Sequence, residues 1–244
     1  EGLVKFGYSL EEARCFTNDG CWEVLVPGKT AFSYYPFDML VLLHGALGLK
    51  DKDTPVPAYG DFEGLYAAFL ERLKMHMEQF HKVADHVWKG GAPAPLISLL
   101  VDDCIERGKS YNEGGATYNV LAPHAGGMAT VANSLYVLRR LVYEEGYLTL
   151  PEFAGILRED WKGQEHLRHL ILSRFAFYGN DEDGVDAMMQ RIFNDYTGLV
   201  AEVRERHGVL RPAGISTFGR EIDWRGPKGG RAASPDGHHA EEIL

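Results

Sequence analysis

Cys21 and Glu23 stand two residues apart in the stretch Thr17-Asn18-Asp19-Gly20-Cys21-Trp22-Glu23. A thiol carried on a turn is open to reaction, and a carboxylate beside it can take or give a proton once burial tunes its pKa. Asp19-Gly20 fits poorly inside a helix or strand, which places Cys21 on a loop. Loop position alone is also compatible with a packing cysteine and a solvated glutamate. Trp22 reads as an anchor for the loop.

Other chemistry-bearing residues give less. Cys15 and Cys104 read as small buried apolar residues. Three cysteines with no CxxC pair leave no framework for disulfides or a four-thiolate zinc site, and point to reduced thiols in a cytoplasmic setting. His76, His81 and His86 recur every five residues, which turns each about 140° from the last around a helix. They read as a solvated face, as His238 and His239 do on a loop. His81 with Asp85 has the i, i+4 spacing of a metal clamp, so a histidine-based metal hydrolase is one competing reading. The expectation is no bound metal. The sequence has no GxSxG, HExxH, Walker A or GxGxxG motif.

The elements that must position Cys21 follow from periodicity. Leu10 to Ala13 is expected to end a short helix before the loop, and Pro27-Gly28-Lys29 to make a turn after it. Pro36 is expected to open a buried helix over Phe37 to Leu47. From Asp61 to Trp88 an apolar stripe recurs every three or four residues through Phe62, Leu65, Phe69, Leu73, Met77 and Phe80, the mark of an amphipathic helix. Leu96 to Ile105 is expected to form a second buried helical segment carrying Cys104. The glycine-rich stretch from Asn112 to Gly127 implies backbone packed closely against something, with a short strand at Tyr118-Asn119-Val120. Further helices are expected over Thr130 to Glu145, after Thr149 with Glu152 closing a capping box, and over Asp186 to Arg206. Beyond His207 loops are expected, with one short strand near Ile215 to Phe218. Helix dominates.

The 244 residues, 45% of them apolar, suffice for a large core, and the net charge of -10 with no basic stripe argues against a nucleic-acid partner. The longest apolar run, Met39 to Leu49, is too short to span a membrane, and no signal peptide is visible.

Several ordered motifs resemble the glycyl radical enzymes, the pyruvate formate-lyase-like family. They are Gly20-Cys21-Trp22-Glu23, the run from Cys104-Ile105-Glu106-Arg107-Gly108 to Asn112-Glu113-Gly114-Gly115-Ala116-Thr117-Tyr118-Asn119, Ala129 to Leu135, Tyr178-Gly179-Asn180-Asp181, and Ser234-Pro235-Asp236-Gly237. In the last, His238 stands where the family's turn carries arginine. The resemblance implies an α/β fold, part of a ten-stranded α/β barrel, helix-dominated in this stretch. It implies that Cys21 becomes a thiyl radical that abstracts hydrogen from a small substrate, with Glu23 as acid or base. It also implies a protein glycyl radical, on a residue not in this chain, installed by a radical-SAM activating enzyme, and a homodimer in the cytoplasm. Tyr34, Tyr35 and Asp38 are candidates for substrate binding by their position after the loop.

The family's R-V-x-G-Y-type glycine loop does not occur in the sequence. Residues 1–244 are therefore expected to be a central portion of the barrel, with its N-terminal part and glycine-radical domain outside this chain and the chain alone inactive. Glycine rather than a second cysteine before Cys21 argues against acetyl transfer, and Glu23 against the arylalkane-adding members. The favoured reading is a dehydratase-like eliminase. A decarboxylase, a formate acetyltransferase and a truncated non-catalytic relative are the alternatives.

Overall fold

In a computed structural model, the described residues are 1–18, 24–49, 53, 55–87, 92–202, 209–210, 212–215 and 231–242. Cys21 and Glu23, with Gly20 and Trp22, lie outside them. Two compact units share the chain, one built from residues 1–36, 76–124 and 197–216, the other from 37–75, 125–196 and 217–244.

The first unit opens with helices α1 (Gly2–Lys5) and α2 (Leu10–Arg14). Ser9 caps α2 by accepting the Glu12 backbone N–H, which satisfies one of the donors that a helix start leaves free. Strands β1 (Thr17–Asn18) and β2 (Val24–Leu25) pair antiparallel, Thr17 opposite Leu25 and Asn18 opposite Val24. Residues 19–23 join the two strands of this ladder. After the tight Val26-to-Lys29 turn comes β3 (Thr30–Asp38). Pro36 therefore lies inside a strand and does not open a helix. It is tolerated there because β3 ends the described sheet, and edge strands are where proline occurs.

Strand β4 (Tyr118–Gly126) pairs with β3, with the parallel strand β5 (Val209–Leu210) and with β6 (Gly214–Ile215). It is three times the length expected from sequence. The glycine-rich stretch before it makes a tight loop. Gly114 has φ +76°, and a Cβ at Gly115 would stand 2.2 Å from the Lys109 carbonyl oxygen.

The 95–108 stretch departs from the expected buried helix. Only Pro95–Ser98 is helical, and Leu96, Leu99, Leu100 and Ile105 are exposed. Cys104 is buried as expected, beside Ala31 and Ala116, but Cys15 is exposed.

The second unit contains α3 (Met39–Ala46), capped by Asp38, whose Oδ1 accepts the Leu40 N–H at 2.9 Å. The apolar stripe forms a helix over Phe62–Val87, which crosses from this unit into the first; Phe62, Leu65, Phe69 and Leu73 are fully or nearly fully buried. His81, expected on a solvated face, is buried. The Thr130 helix begins at Met128 and continues past Leu138 as a π-helical turn, Arg139–Glu144. Thr149 and Glu152 form the expected capping box at the start of Leu150–Arg158. A helix over Glu165–Arg174 adds to those expected, and the last long one spans Asp183–Ala201.

Candidate active site

Residues 19–23 lie outside the described residues; the flanking elements of the first unit are described. The Glu12 carboxylate on α2 gathers three donors. Its Oε1 accepts from Lys29 Nζ at 2.7 Å, and its Oε2 accepts from Ser9 Oγ at 2.7 Å and from the Tyr118 hydroxyl. Lys29 belongs to the turn after β2, and Tyr118 begins β4. One carboxylate thus ties together the helix before the β1–β2 ladder, the turn after it and the sheet beneath.

Hydrogen bonding to Lys29, then to Tyr118 and Ser9, holds the Glu12 carboxyl at about 2, so it is ionised wherever the protein is folded near neutrality. The same bonds raise Lys29, chiefly through Glu12. Backbone bonds complete the frame: Tyr118 N–H donates to Lys29 O at 2.9 Å and Asp102 N–H to Gly28 O at 2.7 Å. Tyr8 stacks on Tyr118 with ring centres 4.0 Å apart. The sequence contains each residue of this network, but no local spacing joins residues so far apart.

Beyond the turn, β3 alternates its side chains between two faces. On one, Tyr34 stacks on His124 of β4 at 5.0 Å, with the Phe32 ring 6.3 Å from His124. His124 is buried, and the β6 backbone passes so close that a Cβ at Gly214 would stand 2.1 Å from its ring. On the other face Tyr35 meets Phe80 at 5.3 Å and His76 at 6.3 Å, both from the Phe62–Val87 helix. Tyr34 and Tyr35 are therefore not brought together. His124, which stacks on the candidate Tyr34, carries no local sequence signal, being a lone histidine after Pro123.

Asp38, in the second unit, is engaged within the protein. Its Oδ2 accepts two bonds from Arg231, from Nε at 2.9 Å and Nη2 at 2.7 Å, and both side chains are largely buried. His44, on α3, is buried, and neither ring nitrogen has a hydrogen-bond partner among the described residues. Desolvation, helped by the nearby Arg231 charge, drops its pKa to about 3 and keeps it neutral. The Cys104 thiol is pushed up by burial, away from thiolate reactivity. Among the described residues, no three histidine, cysteine or acidic side chains cluster closely enough to hold a metal ion, and no helix is long and apolar enough to cross a membrane.

A strand ladder leading into one strand of a helix-packed sheet is an α/β arrangement, and its motifs have known counterparts. The Pyruvate formate lyase-like family model matches residues 1–222. The chain is 32% identical over 213 residues to (2S)-3-sulfopropanediol dehydratase from Klebsiella oxytoca, covering 80% of this chain and 26% of that protein. It is 29% identical over 208 residues to trans-4-hydroxy-L-proline dehydratase from Clostridioides difficile, covering 80% and 26%. Among solved structures, a Roseburia inulinivorans protein studied for 1,2-propanediol dehydration superposes with a TM-score of 0.81 at 29% identity, over 98% of this chain and 32% of that one. Substrate-bound hydroxyproline dehydratase from C. difficile gives 0.84 at 26% identity, over 98% and 32%.

The fold is that of a portion of a glycyl radical enzyme α/β barrel. The chain belongs to the pyruvate formate lyase-like family, and it spans about a quarter to a third of the length of these relatives.

Proposed function

We propose that this chain carries the thiol and the acid–base group of a glycyl radical eliminase acting on a small hydroxylated substrate. The observation that carries the reading is the Gly20-Cys21-Trp22-Glu23 motif in a chain related to dehydratases.

Cys21 would give its S–H hydrogen atom to a glycyl radical held on a residue outside this sequence, which would supply the one-electron oxidation. The sulfur of Cys21 then takes a hydrogen atom from a substrate C–H. Glu23 moves the proton that lets a neighbouring C–O bond break, and water leaves with both bonding electrons. The product radical recovers the hydrogen atom from Cys21, and the thiyl so left would take a hydrogen atom back from the glycine, which restores both the thiol and the stored radical. Such a sequence needs a site from which water and other hydrogen donors are excluded.

Of the three pocket candidates, Tyr34 is the one that we assign to the substrate side. It is exposed to the same degree as Tyr35, but lies on the sheet face opposite the Phe62–Val87 helix. Tyr35 packs toward that helix, and Asp38 is occupied by Arg231 and by the α3 cap. The reading also calls for a radical-SAM activating enzyme, a homodimer and a cytoplasmic setting. Decarboxylation is the second reading, since indoleacetate decarboxylase from Tractidigestivibacter scatoligenes is 23% identical over 275 residues.

The test is anaerobic activation of the natural gene product, read by EPR, with wild type and Cys21→Ala compared on diols and hydroxyproline. A glycyl doublet in both, with turnover only in wild type, is the expected result. Absence of the doublet from both, with an activase competent on another substrate protein, refutes it.

A further inference from the structure

Residues 231–242 run as an irregular strap across the second unit, held mostly by backbone bonds. Trp161 Nε1 donates to the His238 carbonyl at 3.2 Å, Arg168 Nε donates to the Gly237 carbonyl at 2.7 Å, and Asp160 accepts the Ala240 N–H at 2.8 Å. At one end of the strap, Arg231 grips Asp38, the residue that caps α3.

The centre of the strap is the turn Ser234-Pro235-Asp236-Gly237. It is closed by Gly237 N–H to Ser234 O at 3.0 Å and Ser234 N–H to His238 O at 3.1 Å, with Gly237 at φ +102°. The Asp236 side chain is fully buried. Its Oδ1 accepts from Ser234 Oγ at 2.5 Å and faces His238 Nδ1 at 3.1 Å, while its Oδ2 has no hydrogen-bond partner among the described residues. A buried carboxylate so thinly satisfied depends on the cation beside it. The group placed to supply that cation, when protonated, is His238, expected from sequence on an open surface loop and in fact half-buried.

We propose that His238 and Asp236 form a pH-operated latch, which fastens the 231–242 strap when His238 is protonated and slackens it as the imidazolium loses its proton.

The surrounding charges are few. Asp236 holds the His238 proton by hydrogen bond and by charge, Glu242 of the same strap adds attraction, and Arg168, from the Glu165–Arg174 helix, opposes. Asp160, from the end of the preceding helix, pairs with His239 at 3.1 Å. The balance raises the His238 pKa above its ordinary value, with Asp236 the largest cause.

A raised folded-state pKa means stabilisation that is complete below the unfolded value, about 6.5, and lost as pH climbs through the folded value. Neutral His238 can still donate through Nδ1, so deprotonation loosens the strap without releasing it. The resulting change in opening equilibrium is on the order of tenfold per unit by which the folded pKa exceeds the unfolded one.

Hydrogen exchange of peptides covering 231–242 in the natural gene product tests this, from about pH 5.5 to about pH 8.5, after correction for intrinsic exchange rates. Wild type should lose protection there as pH rises, while the 150–158 helix holds steady. His238→Arg, with a permanent charge, should stay protected throughout, and His238→Gln should be uniformly less protected. Should either variant fail to fold, the His238 ring titration followed by NMR in wild type decides the matter. A strap with pH-independent protection, an unchanged pH step in His238→Arg, or a His238 pKa at or below the ordinary value overturns the latch.

Discussion

Asp38 offers the sharpest test of how the α3 end of β3 is held. Its Oδ1 caps α3, and its Oδ2 receives two bonds from an Arg231 side chain that is 7% exposed. Replacing Asp38 with alanine takes the carboxylate from a buried guanidinium that keeps its bond to the Glu242 carbonyl, and breaking a buried ion pair costs about 3–5 kcal/mol. It also removes the helix cap, worth about 1 kcal/mol. The two losses share a residue and do not simply add, so we expect a total of about 4–5 kcal/mol. Asp38→Asn keeps an acceptor for the Leu40 N–H and loses only the charge, and should fall near the loss of a charged hydrogen bond, about 1.5–3 kcal/mol. In Asp38→Ala/Arg231→Met neither charge remains, and stability should return to within about 2 kcal/mol of wild type. Urea denaturation read by circular dichroism, with an unchanged m-value, gives all three numbers. A cost below about 1 kcal/mol for Asp38→Ala, the range of exposed pairs, would refute the argument. So would a double variant no better than the single one. The series also separates two roles for Asp38: a substrate contact would raise KM in Asp38→Asn at unchanged stability.

Glu12 predicts an acid limit for the frame around Cys21. Its folded-state pKa of about 2 lies below its ordinary value, so its stabilisation is present above the unfolded pKa and fades as pH falls from about 4.5 towards about 2. Exchange protection of the β1–β2 ladder should decline across that window in wild type, and Glu12→Gln should be poorly protected at every pH. Protection that ignores both pH and substitution would remove Glu12 from the frame. Gly115→Ala places a Cβ 2.2 Å from the Lys109 carbonyl, a backbone atom that cannot swing aside. The resulting strain, about 3 kcal/mol or more, should appear as loss of soluble protein or a large drop in Tm, whereas Gly155→Ala, with no atom within 4 Å of the added carbon, should change Tm little.

What the sequence disclosed was local. The stripe from Phe62 to Phe80 and the Thr149–Glu152 capping box announce helices because their partners are three or four residues away, and the structure has both. Misreadings came where distant neighbours decide. Leu96, Leu99, Leu100 and Ile105 are apolar, yet hydrophobicity does not say which surface covers a residue, and all four are exposed. Pro36 beside Phe37 resembles a helix start, but pairing with β4 keeps it in a strand. The family assignment came from motif order, which needs no tertiary information, and the family model matches over residues 1–222.

The same distinction governs the candidate site. Position after the Cys21 loop gave Tyr34, Tyr35 and Asp38 equal standing, because sequence distance ignores the direction of a side chain. Strand geometry removes the tie. Successive side chains of β3 point to opposite faces, so if Tyr34 meets His124, then Tyr35 must turn away, and it does so toward Phe80. One residue later in register the roles would exchange, and only the pairing of β3 with β4 sets that register. The alternation of β3 sets Tyr34 on the face shared with His124 and Tyr35 on the face against the Phe62–Val87 helix.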